Sequence, residues 1–151
     1  MNAAVAVILE RRDRIGMFKR SACVAHDAGL WHCVTGYLPP ETSPLAQALQ
    51  ELHEETGLTA ADIDQVRTGP VLDLRGDDGV PWQVHTFTAH TTTRKLTLNW
   101  EHDAYRWVKA RHVRGFTQVH WLSTVMTALE VGEGFESPPE MPVASHDRVS
   151  R

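Results

Sequence analysis

Glu51, Glu54 and Glu55 stand at positions i, i+3 and i+4 of a segment whose apolar residues recur with helical spacing. Side chains so placed are neighbours on a helix surface. At about 100° per residue the three carboxylates share an arc of about 100°. That arc is set apart from the apolar stripe of Leu45, Ala48, Leu49, Leu52 and Thr56. Taken alone, such a triplet reads as a solvated acidic face, which costs only a few tenths of a kcal/mol per like-charged pair. Its surroundings change the reading. A glycine turn at Gly36 lies upstream and Gly57-Leu58 closes the segment. Magnesium prefers oxygen ligands and bridges one or two carboxylates to substrate phosphates. The arrangement therefore suits holding a divalent cation against a polyphosphate.

The surrounding elements must hold these groups. Thr42 or Ser43 is placed as an N-cap, with Pro44 at the first helical position, where its missing N–H costs nothing. Gly57 ends the helix as a C′ glycine does. Upstream, Ala3 to Leu9 and Ile15 to Lys19 read as strands around the polar turn 11–14, so the chain opens on a hairpin. Residues 21–30 read as loop and Trp31 to Thr35 as one further strand. Val66 to Leu74 and Trp82 to His90 are strands joined by the turn 75–79. Both faces of the second are mixed, so neither is marked as solvent-facing. Lys95 to Leu98 and Ala104 to Val108 add two short strands. An amphipathic helix spans Ser123 to Val131, with Thr117 as an earlier alternative start. This interleaving predicts an α/β fold, a mixed sheet between helical layers, in one domain over residues 1–131. From residue 132 the apolar period ceases, and residues 132–151 read as a flexible tail.

Length and charge narrow the function. A chain of 151 residues suits one domain. The formal net charge of −4 argues against a general grip on nucleic acid, which demands a basic face. A small anionic substrate stays compatible, because a bound cation reverses the local sign. Two cysteines are too few for a disulfide framework, and their spacing with the histidines lacks a zinc pattern. The apolar start is too short to cross a bilayer and has no signal-peptide features. A cytoplasmic location is the resulting expectation.

The run Gly36 … Glu51-Leu52-His53-Glu54-Glu55-Thr56-Gly57-Leu58 closely resembles the Nudix box, Gly-x5-Glu-x7-Arg-Glu-U-x-Glu-Glu-x-Gly-U with U aliphatic. Thr42 replaces the first Glu of that pattern and Gln50 its Arg. The family's Glu–Arg pair is thus exchanged for two neutral groups that could hydrogen-bond each other. The resemblance implies an α/β/α sandwich and a Mg²⁺-dependent hydrolase, with Mn²⁺ as an alternative cation. It implies metal held by the Gly36 carbonyl with Glu51, Glu54 and Glu55. The stretch Glu101-His102-Asp103-Ala104-Tyr105-Arg106-Trp107 is similar to a piece found in some Nudix branches, which adds Glu101 as ligand or general base. Glu51, Glu54 and Glu101 are the catalytic candidates.

Trp31-His32-Cys33-Val34-Thr35-Gly36 resembles the dihydroneopterin triphosphate and dATP pyrophosphohydrolase branch. The implied substrate is a nucleoside or pterin triphosphate, cleaved to a monophosphate and pyrophosphate. Alternatives are a dinucleoside polyphosphate hydrolase and a non-catalytic nucleotide-binding domain. Arg20, Tyr37 and His85 are the candidates for contacting a small nucleotide-like substrate, and relatives suggest a homodimer.

Overall fold

The computed structural model describes residues 2–131. Within them the chain forms β1 (Asn2–Arg11), β2 (Arg14–Arg20), β3 (Trp31–His32), β4 (Val34–Tyr37), α1 (Pro44–Thr56), β5 (Ile63–Arg75), β6 (Pro81–Thr91), β7 (His102–Val108) and α2 (Trp121–Ala128). Single 3₁₀ segments cover Ala60–Asp62 and Ala110–Gly115. The expected tail from residue 132 lies outside the described residues.

The seven strands make one mixed sheet, with β1 and β6 parallel and the other pairings antiparallel. β1 is central and its residues Ala4 to Leu9 are buried, as its β-branched and alanine-rich composition demands. The opening hairpin is real but splayed. β1 and β2 pair at Glu10↔Ile15 and Arg11↔Arg14. Beyond that point β4 takes β2's place beside β1, with Ala4↔Tyr37, Val5↔Gly36, Ala6↔Thr35 and Val7↔Val34 in register. β2 pairs instead with β3 and β7.

Because successive side chains on a strand point to opposite faces, β1 supplies two cores. Ala6 and Ile8 join Met17, Val84, Leu122 and Val125 on one side. Val5, Val7 and Leu9 join Phe18, Leu52, Phe87 and Leu96 on the other. α2 therefore covers one face and α1 the other, and the expected α/β/α sandwich holds. No helix among the described residues is long and apolar enough to cross a membrane.

Three expectations about elements need correction. The strand predicted over Trp31 to Thr35 changes partner at Cys33, from β2 to β1, and so divides into β3 and β4. Residues 95–98 are not a strand; Thr97 N–H donates to the Thr56 carbonyl at 2.9 Å, tying this segment to the end of α1. α2 starts at Trp121 and ends at Ala128, between the two predicted starts and short of Val131.

Candidate active site

The helix that carries the glutamates is fixed at both ends. Ser43 is the N-cap, and its Oγ accepts from Ala46 N–H at 3.2 Å. Gly57 takes the left-handed conformation at φ 78° and its N–H donates to the His53 carbonyl. Ala48, Leu52 and Thr56 are buried against the sheet, while Leu45, expected in the stripe, is 44% exposed on the first turn.

The carboxylates do not share one solvent face. Glu55 lies on the buried side of α1 at 1% exposure, Glu51 is half-buried, and Glu54 is exposed. The Glu55 and Glu51 side chains interact with each other. Loss of water by burial raises the pKa of both, Glu55 well above the ordinary carboxylate range. For Glu55, the hydrogen bond to Glu51 and the charges of Glu101 and Glu51 add to the rise. Glu54 accepts from Gln50 Nε2 at 2.6 Å, and Glu51 from Gln47 Nε2 at 2.8 Å. Gln50 thus meets Glu54, not Thr42, whose hydroxyl lies 3.5 Å from the Pro40 carbonyl. No three His, Cys, Asp or Glu side chains among the described residues form a ready-made metal cage.

Gly36 and Glu51 are in intimate contact. A Cβ built on Gly36 would overlap the Glu51 carboxyl group, so only glycine leaves room for it there. The splay of β1 from β2 is what admits β4 and brings Gly36 to this place. Glu101 reaches the same region from the start of β7. Its carbonyl accepts from Ser21 N–H at 2.8 Å, its carboxylate from Asn99 Nδ2 at 3.2 Å, and its charge acts on both Glu51 and Glu55.

Buried His102 lies beside Glu55, and buried His32 lies near His102. His102 Nδ1 is 3.8 Å from Glu55 Oε1, too long for a hydrogen bond. Burial, with the Arg20 charge, lowers the pKa of His102 to about 4 and that of His32 to about 3. Burial raises the pKa of Glu55 and lowers that of His102, so it works against charge on both partners of this contact.

A cleft of about 350 Å³ opens beside Gly36, Glu101 and Arg20, within the size range of small-ligand sites. Tyr37 and Trp82 meet edge to face at 6.5 Å, and Trp82 and Trp121 at 6.1 Å. The Arg75 carbonyl accepts from Trp121 Nε1 at 2.9 Å and lies 3.1 Å from His120 Nε2, which pins the start of α2 to the end of β5. Asp77 and Asp78, on the β5–β6 turn, line the rim. Arg20 and Tyr37 are therefore placed in the cleft. His85 is not; it pairs with Val5 and Val71, on the α1 side of β6, opposite to Trp82 and Val84. Trp121, His120 and the two aspartates escaped the sequence reading. The turn composition marked 75–79 as a loop, but no local pattern says that it faces the start of α2.

Comparison with known proteins matches this geometry to a family. The NUDIX domain model matches residues 1–129. No curated protein sequence matches the chain. Among solved structures, the Nudix hydrolase RenU of M. smegmatis superposes with a TM-score of 0.72 at 22% identity, covering 84% of this chain and 82% of its own. The NUDIX domain of Shewanella oneidensis NrtR, in complex with ADP ribose, gives 0.68 at 14% identity over 83% and 84%. A C. elegans Ap4A hydrolase gives 0.67 at 14% identity over 85% and 94%. With the box glycine and glutamates in register and the domain matched from end to end of the described fold, the chain belongs to the Nudix hydrolase superfamily, whose members hydrolyse derivatives of nucleoside diphosphates.

Proposed function

We propose that this chain is a Mg²⁺-dependent pyrophosphohydrolase. It acts on a nucleoside triphosphate or a related pterin triphosphate and releases a monophosphate and pyrophosphate. One observation carries the reading: the Glu51 carboxyl lies against Gly36, and Gly36 with Glu101 lines an aromatic-walled cleft.

The residues fit a hard divalent cation. All the donors are oxygen, as Mg²⁺ or Mn²⁺ requires. Glu55 Oε1 is buried with no hydrogen-bond partner. Two adjacent carboxyls whose pKa values are both raised by burial gain from a cation that offsets their charge. Gly36, through its carbonyl, Glu51 and Glu55 would hold the ion, with Glu54 joining after leaving Gln50. When bound, the cation polarises a phosphoryl oxygen and offsets charge on the displaced pyrophosphate.

The protein's own groups do the rest. Arg20 lines the cleft and meets phosphate there. Tyr37, Trp82 and Trp121 offer flat faces and edges for a planar ring. Of the catalytic candidates, Glu101 is the best placed to take the proton of the attacking water. It lines the cleft and is oriented by Asn99, whereas Glu51 is engaged with Glu55, and Glu54 with Gln50.

A second reading, binding without cleavage, draws on the Gln50–Glu54 hydrogen bond, which keeps one carboxylate off the pair. The complex of the Shewanella neighbour with ADP ribose is in keeping with it. Both are tested by incubating the chain with nucleoside triphosphates, dihydroneopterin triphosphate and dinucleoside polyphosphates in Mg²⁺ or Mn²⁺. Phosphate is measured after adding pyrophosphatase. Turnover that falls about a hundredfold or more in Glu51→Gln supports the enzyme. Ligand-dependent thermal shifts without turnover would establish the binding role.

A further inference from the structure

At the far end of β1 from Gly36, a second groove of about 490 Å³ gathers Arg11, Arg14, Arg94, Lys95 and Arg106. They come from the β1–β2 hairpin, the segment after β6, and β7. Gly36 pairs with Val5, and Arg11 lies six residues further along the same strand. At about 3.3 Å per residue the two places are roughly 20 Å apart. Five cations in one groove stand out on a chain whose net charge is −4. Asp13 lies 3.9 Å from Arg14 and 3.8 Å from Lys109, but at 71% exposure its charge is largely screened by water.

The walls of this groove are braced. The Arg11 guanidinium lies 5.9 Å from the Trp107 ring centroid, and its Nε donates to the Thr92 carbonyl at 3.4 Å. Trp107 Nε1 donates to the Arg94 carbonyl at 2.8 Å, and Leu96 N–H to the Tyr105 hydroxyl at 3.0 Å. These bonds fix the backbone that carries Arg94 and Lys95, so the cations are held in a frame rather than scattered over a mobile loop.

We propose that this groove is a second anion site, separate from the substrate cleft, that binds an oligophosphate chain. Guanidinium groups match phosphate oxygens in a planar, bidentate manner. A volume of this size holds a short, multiply charged ligand. The aromatic residues do not offer a base platform, because Arg11 covers Trp107 and the Tyr105 hydroxyl is bonded to Leu96. Single-stranded nucleic acid is held by open stacking faces along an extended basic track. The phosphate chain alone is what this groove recognises.

The test is calorimetric titration of the full chain with inorganic tripolyphosphate in EDTA, which removes divalent cations from the glutamate site. Micromolar binding is expected, weakened about tenfold or more in Arg94→Ala/Arg106→Ala and unchanged in Arg20→Ala. Arg94 and Arg106 are exposed, so their removal should leave the core intact, with circular dichroism as the check on the fold. Arg94→Lys/Arg106→Lys should recover part of the affinity. Equal binding by the wild type and the alanine double variant overturns the site, as does absence of binding at about 1 mM ligand. Loss of binding in Arg20→Ala alone would relocate it to the cleft. Tighter binding of a short single-stranded oligonucleotide, abolished in the alanine double variant, would overturn the ligand class.

Discussion

Gly36 is the residue on which the candidate site turns, since a methyl group there would occupy the space of the Glu51 carboxyl. Its backbone conformation is not left-handed, so Gly36→Ala is penalised by the neighbour and not by φ. Displacing Glu51 by about 1 Å should lower kcat by roughly a hundredfold while the fold persists. Steady-state kinetics beside a thermal melt checks this, and an unaltered kcat would show that Glu51 has no fixed post. His32 makes a prediction of a different kind. Burial, and then the Arg20 charge, holds its folded pKa at about 3, against 6.5 for the ordinary group. Between those values the unfolded chain binds the proton and the folded chain does not, so stability falls as pH falls from 6.5. One proton gives at most about 1.4 kcal/mol per pH unit. His102 contributes in the same direction down to about 4, whereas Glu55, with its pKa raised, favours the folded state as pH falls. The loss of melting temperature between pH 7 and 5 should therefore be shallower in His32→Gln. Parallel curves for the two proteins would mean that His32 is not held neutral.

At the scale of elements, the ends of α1 were legible and much of its middle was not. Ser43, Pro44 and Gly57 announce a cap, a first turn and a stop through conformational demands local to each residue. Ser43→Ala should cost about 1 kcal/mol, seen as a lower midpoint in a urea titration with an unchanged slope. The faces of α1 were harder to read. Helical spacing grouped Glu55 with Glu51 and Glu54 and put Leu45 in the stripe, but the sheet lies under Ala48, Leu52, Glu55 and Thr56. A buried glutamate is costly in general, so hydrophobic pattern assigns it outward; here burial raises its pKa, which favours the neutral form. Segment 95–98 misled for a similar reason. Its composition suits a strand, yet its backbone partner is the end of a helix. His85 was a candidate because its flat ring could stack on a substrate, whereas strand alternation turns it the other way from Trp82.

The molecule as a whole assembles its cleft from parts that are remote in sequence, Gly36 on β4, Glu101 before β7 and Trp121 on α2, with Glu51 of α1 packed against Gly36. The box glycine and glutamates, and the layered α/β architecture, could be read from the chain. The wall formed by Trp121, His120 and the β5–β6 turn required the three-dimensional path. That wall has a built-in redundancy at the Arg75 carbonyl, which faces ring nitrogens of both Trp121 and His120. An oxygen with two available donors loses little when one is withdrawn, and suffers when neither remains. Trp121→Phe and His120→Phe should each lower the melting temperature slightly, while the double variant should fall by more than the two added together. Simple additivity in that cycle would argue against the shared acceptor. The same duplication means that drift in either aromatic residue alone leaves the joint between strand and helix closed, so the ring-binding wall is free to change its chemistry one position at a time without coming apart.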